Sequence, residues 1–212
     1  WIGKSRLARH IQKLTSKANG YLYAAKFQQN NMHVKPLSTI GSLFNSLCDR
    51  FAEDASPLQL RSVSDELATS LGSQAGLLAG VVPSLQKLMP HIIPLEETSI
   101  ACVDAPSSMR YLFGELLRAV SYHSDRPFSL LIDDIQFADS SSLLLISNLL
   151  FSAARPDSSV FIAFCHRDND PDLDSGTFNI WLSSISMYSL EELKLDNMNV
   201  EGVNSLISDS LH

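Results

Sequence analysis

"FSLLIDDIQFAD", residues 128–139, is the stretch on which the fold turns. A short apolar run ends in two adjacent acids, Asp133 and Asp134, followed by a return to apolar residues. The run has the length of a strand, and its apolar content describes a strand buried in a core. Such a strand delivers its two carboxylates at its C-terminal edge. One reading makes them a surface turn after a core strand, merely capping the turn before helix 139–154. The other makes them chemistry. Adjacent carboxylates at a strand end suit a magnesium–phosphate site, where the first acid, Asp133, holds Mg²⁺ directly or through water and the second, Asp134, orients or polarises an attacking water.

Working outward, further short apolar runs share this character. "YLYAAKF" (21–27) and "SVFIAFC" (159–165) read as buried strands, and "MYSLEELKL" (187–195) holds a last short one. Between them the period is helical. Leu7, Ile11 and Leu14 recur at helical spacing over 4–18, and Asn19-Gly20 stops that helix. Three helical stretches follow between Leu37 and Met89, with Pro57 suiting a first turn and Pro83 a kink or restart. Residues 90–108 carry three prolines and read as a long loop, "MRYLFGELLRAVSYH" (109–123) as a helix, and "SSSLLLISNLLFSAA" (140–154) as another. "HRDNDPDLDSG" (166–176) is a polar loop, and a helix N-capped by Asn199 closes the chain. Strands alternating with helices predict an α/β sandwich with a mostly parallel sheet and a helical insertion at about 37–122.

Two other short motifs stand in order with the acidic strand. Gly3-Lys4-Ser5 opens the first helix, and Arg167 stands exposed at the polar tip that follows the strand over 160–165. A G-K-[S/T] tripeptide occurs by chance in roughly one chain in ten of this length. Its place at a helix start gives it meaning, because loop amides and the helix N-terminus there point at phosphates. Gly3 would let the backbone approach a phosphate closely, Lys4 would neutralise β/γ-phosphate oxygens, and the Ser5 hydroxyl would ligate Mg²⁺. Arg167 is either a γ-phosphate sensor or a solvated Arg paired with Asp168 or Asp170.

Composition narrows the field. The 212 residues are 45% hydrophobic, which suits one domain with a sizeable core. The formal charge of −7, without a Lys/Arg-rich block, makes nucleic acid a poor partner. Cys48, Cys102 and Cys165 are widely spaced and read as buried, reduced thiols rather than a zinc or disulfide framework. No stretch is apolar for long enough to span a bilayer, so a cytoplasmic protein is expected.

Taken together, "GKSRL" (3–7), "AAKFQQ" (24–29), "VVPSLQKLMP" (81–90), "LLIDDIQFADSSSL" (130–143), "FCHRDND" (164–170) and "LEELKLDNMNVEGVNSLISDSL" (190–211) resemble the AAA-type ATPase domain of the STAND class of P-loop NTPases, as found beside kinase or cyclase domains in large signalling proteins. The resemblance runs nearly end to end, as a single domain over 1–212. It implies a three-layer P-loop sandwich. It implies ATP and Mg²⁺ as cofactors, with Gly3, Lys4, Ser5 and Arg6 binding nucleotide and Ser5 and Asp133 on the metal. Asp134 and Arg167 then serve catalysis. It also implies other domains of a longer chain, or signalling proteins, as partners. Phe137 stands where the family has Trp, and Trp1 where it has a second Gly. The expected strand ahead of the P-loop has no counterpart, so the chain reads as cut within the Walker A motif. Two other functions share this core: a degenerate nucleotide-binding or protein-interaction module without hydrolysis, and an origin-recognition-type DNA-binding ATPase, which normally adds a basic winged helix.

Overall fold

The computed structural model describes residues 2–29, 36–95, 105–155, 158–167, 175–186 and 190–194. In chain order the elements are α1 (Ile2–Lys17), β1 (Tyr21–Lys26), α2 (Ser38–Asp54), α3 (Pro57–Leu71), α4 (Ala75–Val81), α5 (Leu85–Leu88), α6 (Ala105–His123), β2 (Phe128–Asp133), α7 (Ser140–Ala153), β3 (Val160–Phe164) and α8 (Ser175–Ile185). The three strands form one parallel sheet in the order β1-β2-β3. Helices cover both faces, giving the α/β sandwich that the alternation predicted.

Side chains alternate between the faces of a strand. Thr15 of α1 shares a 2.9 Å hydroxyl–hydroxyl hydrogen bond with Ser129, so α1 lies against the face that carries Ser129, Leu131 and Asp133. The other face carries Phe128, Leu130 and Ile132, all buried. Tyr21 belongs to that face. Its ring lies 4.9 Å under the Arg50 guanidinium, and its hydroxyl bonds Asp54 at the end of α2. Trp181 of α8 meets Phe164 there edge-on at 5.7 Å.

The helices between β1 and β2 make much of the core. Phe44 and Phe113 meet edge-to-face at 4.8 Å, joining α2 to α6, and Leu47, Leu67, Leu112 and Leu116 are fully buried around them. α3 begins where the sequence predicts. Ser56 caps it with its side chain, Gln59 reaches back to the Ser56 N–H, and Pro57 fills the first turn. Pro83 separates α4 from α5 instead of kinking one continuous helix.

Three expectations are revised. α6 starts at Ala105, so the end of the stretch read as a loop over 90–108 is helical. Residues 190–194 are not a strand, and the rest of the strand expected over 187–195 lies outside the described residues, as does the C-terminal helix. α8 was not anticipated. Its seat is made by Phe178, Trp181 and Ile185 on one face, with the indole N–H donating to Leu143 O and Ser147 Oγ, each at 2.8 Å. Of the cysteines, Cys48 is buried, and burial pushes its thiol up, while Cys165 is only half-buried. Cys102 lies outside the described residues. No helix among the described residues is long and apolar enough to cross a membrane.

The turn from α1 into β1 fixes how the helix lies on the sheet. Asn19 takes a left-handed φ of 56°, Asn19 N donates to Ser16 O at 3.0 Å, and Gly20 N donates to Thr15 O at 2.8 Å. This pair of bonds is a Schellman ending, with Asn as the left-handed residue. Gly20 follows because a Cβ there would sit 2.4 Å from Pro127 O, inside van der Waals contact with backbone that cannot yield cheaply. Gly20→Ala is therefore expected to cost about 1–3 kcal/mol in urea unfolding, the range for overpacking. A loss below about 0.5 kcal/mol would show that the β1–β2 entry can open without penalty.

Candidate functional site

The parallel register brings the carboxyl ends of the strands level. Lys26, the last residue of β1, stands opposite Asp133, the last of β2, and Ile132 stands opposite Phe164. Clefts outside the carboxyl ends of parallel strands are where open α/β sheets bind ligands. α1 runs back against β1 after only a short turn, so its N-terminus points toward the same edge. Its 16 residues cover about 24 Å, enough to pass the full length of the six-residue strand, about 20 Å.

Asp133 is held by its main chain, whose carbonyl accepts from Phe27 N at 3.0 Å. The strand then breaks. Asp134 takes φ 51° and ψ 43°, a left-handed conformation that Asp tolerates better than most residues. The turn is tied to β3 by bonds from Cys165 N to Ile132 O (2.8 Å) and from Ile135 N to Cys165 O (3.1 Å). Asp134 N donates to Asp133 Oδ1 at 2.9 Å. Through this reversal both carboxylates reach one cation. Lys26 Nζ lies 3.1 Å from Asp133 Oδ2 and 2.9 Å from Asp134 Oδ2.

Two more side chains close on Asp134. Arg167 Nε lies 3.4 Å from Oδ1, with its guanidinium 6.0 Å over the Phe137 ring. Gln136 Nε2 donates to the same oxygen at 3.3 Å. Asp134 is only 5% exposed. Burial pushes its carboxyl up, but Lys26, Gln136 and Arg167 outweigh it, so the group sits below the usual carboxylate value. The Lys26 ammonium is correspondingly raised, first by Asp134 and then by Asp133. The Gln136 side-chain oxygen is buried and has no hydrogen-bond partner.

Within the turn before α7, Asp133 Oδ1 accepts from Asp134 N, while the helix itself has another cap. Asp139 caps α7, accepting from Ser142 N at 3.0 Å and from Ser142 Oγ at 2.6 Å. Asp133 and Asp134 are therefore not needed to start that helix.

Of the residues singled out from sequence, Asp133, Asp134 and Arg167 come together. Residues 3–6 lie in the first turns of α1. The side chains of Gly3, Lys4 and Ser5 are outside the described residues, and Arg6 is exposed. Lys26 and Gln136 had no assigned role. Lys26 carried a weak signal as the one charged residue of the run 21–27. Only the register reveals that it meets the acids.

Among the described residues, no group of three or more His, Cys, Asp or Glu side chains could hold a metal ion alone. The donors present are nonetheless hard oxygens, those of the two carboxylates. Mg²⁺ typically takes one or two carboxylates and completes its shell with water and substrate phosphate oxygens. The donor set fits that ion and suits no soft metal.

The family model for the AAA ATPase domain matches residues 2–162, from α1 to within β3. No curated protein and no solved structure matches the chain. The match covers well over half the sequence and includes both the start of α1 and the acidic strand end, and the chain belongs to the AAA ATPase domain family.

Proposed function

We propose that the chain binds ATP with Mg²⁺ and hydrolyses it, serving as a STAND-type regulatory switch within a larger cytoplasmic signalling protein whose other domains are its partners. The observation that carries this reading is the acidic pair at the carboxyl edge of the sheet. Asp133 shares the face covered by α1, and the N-terminus of α1 points toward that edge.

Each residue has a role that its position allows. Backbone amides at the start of α1, with Gly3 admitting close approach, would receive phosphate oxygens. Lys4 and Arg6 would supply positive charge, and the Ser5 hydroxyl and Asp133 would hold the metal. Bound Mg²⁺ would neutralise charge on the phosphates. Asp134 would orient the attacking water. Its carboxyl is fixed by Gln136, Lys26 and Arg167 and stays ionised, which a hydrogen-bond acceptor requires. Arg167, held over Phe137, would face charge that develops on the terminal phosphate.

Two measurements test this reading. Lys4→Ala removes charge-assisted phosphate contacts worth roughly 1.5–3 kcal/mol, so calorimetry should show Mg·ATP affinity about ten- to a hundredfold weaker. Equal affinity in the two proteins would remove Lys4 from the site.

The acids should separate. Asp133→Asn weakens Mg²⁺-dependent ATP binding. Asp134→Asn leaves binding nearly intact and slows single-turnover hydrolysis, because positioning a nucleophile acts mainly on the transition state. Wild-type hydrolysis in Asp134→Asn would remove the catalytic assignment. ATP binding without turnover in the wild type would point to the module without hydrolysis.

A further inference from the structure

The role of Lys26 is not accounted for by phosphate binding or by fold. Its side chain is 60% exposed, so packing does not hold it. It nonetheless bridges both carboxylates of the pair, at 3.1 Å and 2.9 Å. Two carboxylates this close repel unless a cation lies between them. Arg167 meets only Asp134 of the two, from the side of Oδ1, whereas Lys26 meets the Oδ2 atoms of both. At Asp133 Oδ2 the ammonium thus occupies a position that a divalent cation held by Asp133 would take. Gln136 holds the other oxygen of Asp134 through its amide nitrogen, so Asp134 stays fixed from the Oδ1 side.

We infer that Lys26 is a resident counter-cation of the metal site: with no metal bound its ammonium neutralises Asp133 and Asp134, and a divalent cation must displace it from Asp133 to bind. The inference rests on the reading of the acidic pair as the metal side of a nucleotide site. A competitor bound at the site raises the metal concentration needed to fill it. Lys26 therefore sets a threshold, holding the edge charge-balanced until the metal arrives. Once displaced, a flexible side chain at 60% exposure can leave without disturbing β1, whose ladder to β2 is made by the main chain.

The test is a titration with Mn²⁺, free ion being counted by electron paramagnetic resonance, on the whole chain without nucleotide. The proteins are wild type, Lys26→Met, Lys26→Gln, Lys26→Arg and the double variant Lys26→Met/Asp133→Asn. An exposed ion pair contributes about 0.2–1 kcal/mol, which converts to an affinity for Mn²⁺ up to about fivefold tighter when Lys26 is neutralised. Lys26→Met and Lys26→Gln should both show this gain, Lys26→Arg should bind no more tightly than wild type, and Asp133→Asn should abolish the gain. Unchanged or weaker Mn²⁺ binding in both neutral variants overturns the inference, as does a gain shared by Lys26→Arg or one that survives Asp133→Asn. Binding of Mn²⁺ by none of the proteins overturns it as well. Because no nucleotide is present, a wild type that fails to bind ATP in a separate titration counts against the nucleotide site and leaves the metal competition to be decided by the Mn²⁺ result.

Discussion

The arrangement at the carboxyl edge depends on one register: Lys26 opposite Asp133 in a parallel ladder. A slip of one residue would turn every side chain of β1 to the opposite face of the sheet. Several constraints prevent it. Phe128, Leu130 and Ile132 are buried on the face away from α1, and Tyr23 packs edge-on against Phe128 at 6.0 Å. Tyr21 is pinned by hydrogen bonds with Asp54 and Arg126. Gly20 donates nothing to that face but lets β1 enter beside Pro127, whose carbonyl accepts from Tyr21 N at 3.1 Å. The polar residues that meet at the far end are thus aligned by apolar and backbone contacts at the near end.

The two acids are held by different means. Asp134 has a side chain only 7% exposed, so its charge depends on compensation. It receives an ammonium, a guanidinium and an amide N–H. Asp133 is 34% exposed, and solvent can supply part of what a neighbour does not. A fixed, desolvated carboxylate keeps its orientation, which suits a water-positioning group. A half-exposed carboxylate can exchange one partner for another at little cost, which suits a ligand to an arriving ion. The difference follows from the left-handed reversal at Asp134, which folds the second acid back under the turn while the first stays in the strand.

Most of the sheet was legible because its strands are short apolar runs between polar turns, and α3 was legible to the residue because Ser56, Pro57 and Gln59 form a capping box. α8 was missed because its 11 residues are short and it follows a long polar stretch, so few apolar positions mark it. Its apolar face is carried by Phe178, Trp181 and Ile185, and tertiary contact with α7 and Phe164 supplies what local pattern lacks. At the site, Asp133, Asp134 and Arg167 could be picked out because each follows an apolar run. Lys26 and Gln136 could not. Lys26 matters through a neighbour about a hundred residues away, and sequence order does not reveal which residue of one strand lies opposite which residue of another. Gln136 matters through a turn geometry that only the left-handed Asp134 creates.

The charge balance at this edge also determines which cation can yield. Among the described residues, Lys26 and Arg167 face Asp133 and Asp134, so an added positive ion competes with a cation already there. The Arg167 side chain is 32% exposed and rests over the Phe137 ring, and its donors meet the buried acid. Moving it would forfeit the stacking and leave Asp134 with less compensation in a poorly solvated position. Lys26 is nearly twice as exposed, and water can take over its solvation as it leaves. The pair of Lys26 with the half-exposed Asp133 is worth little, about 0.2–1 kcal/mol, whereas a pair with the buried Asp134 costs more to break. The contact between Lys26 and Asp133 is therefore the exchangeable one, because it joins the more exposed cation to the more exposed acid, while Asp134 keeps its close partners.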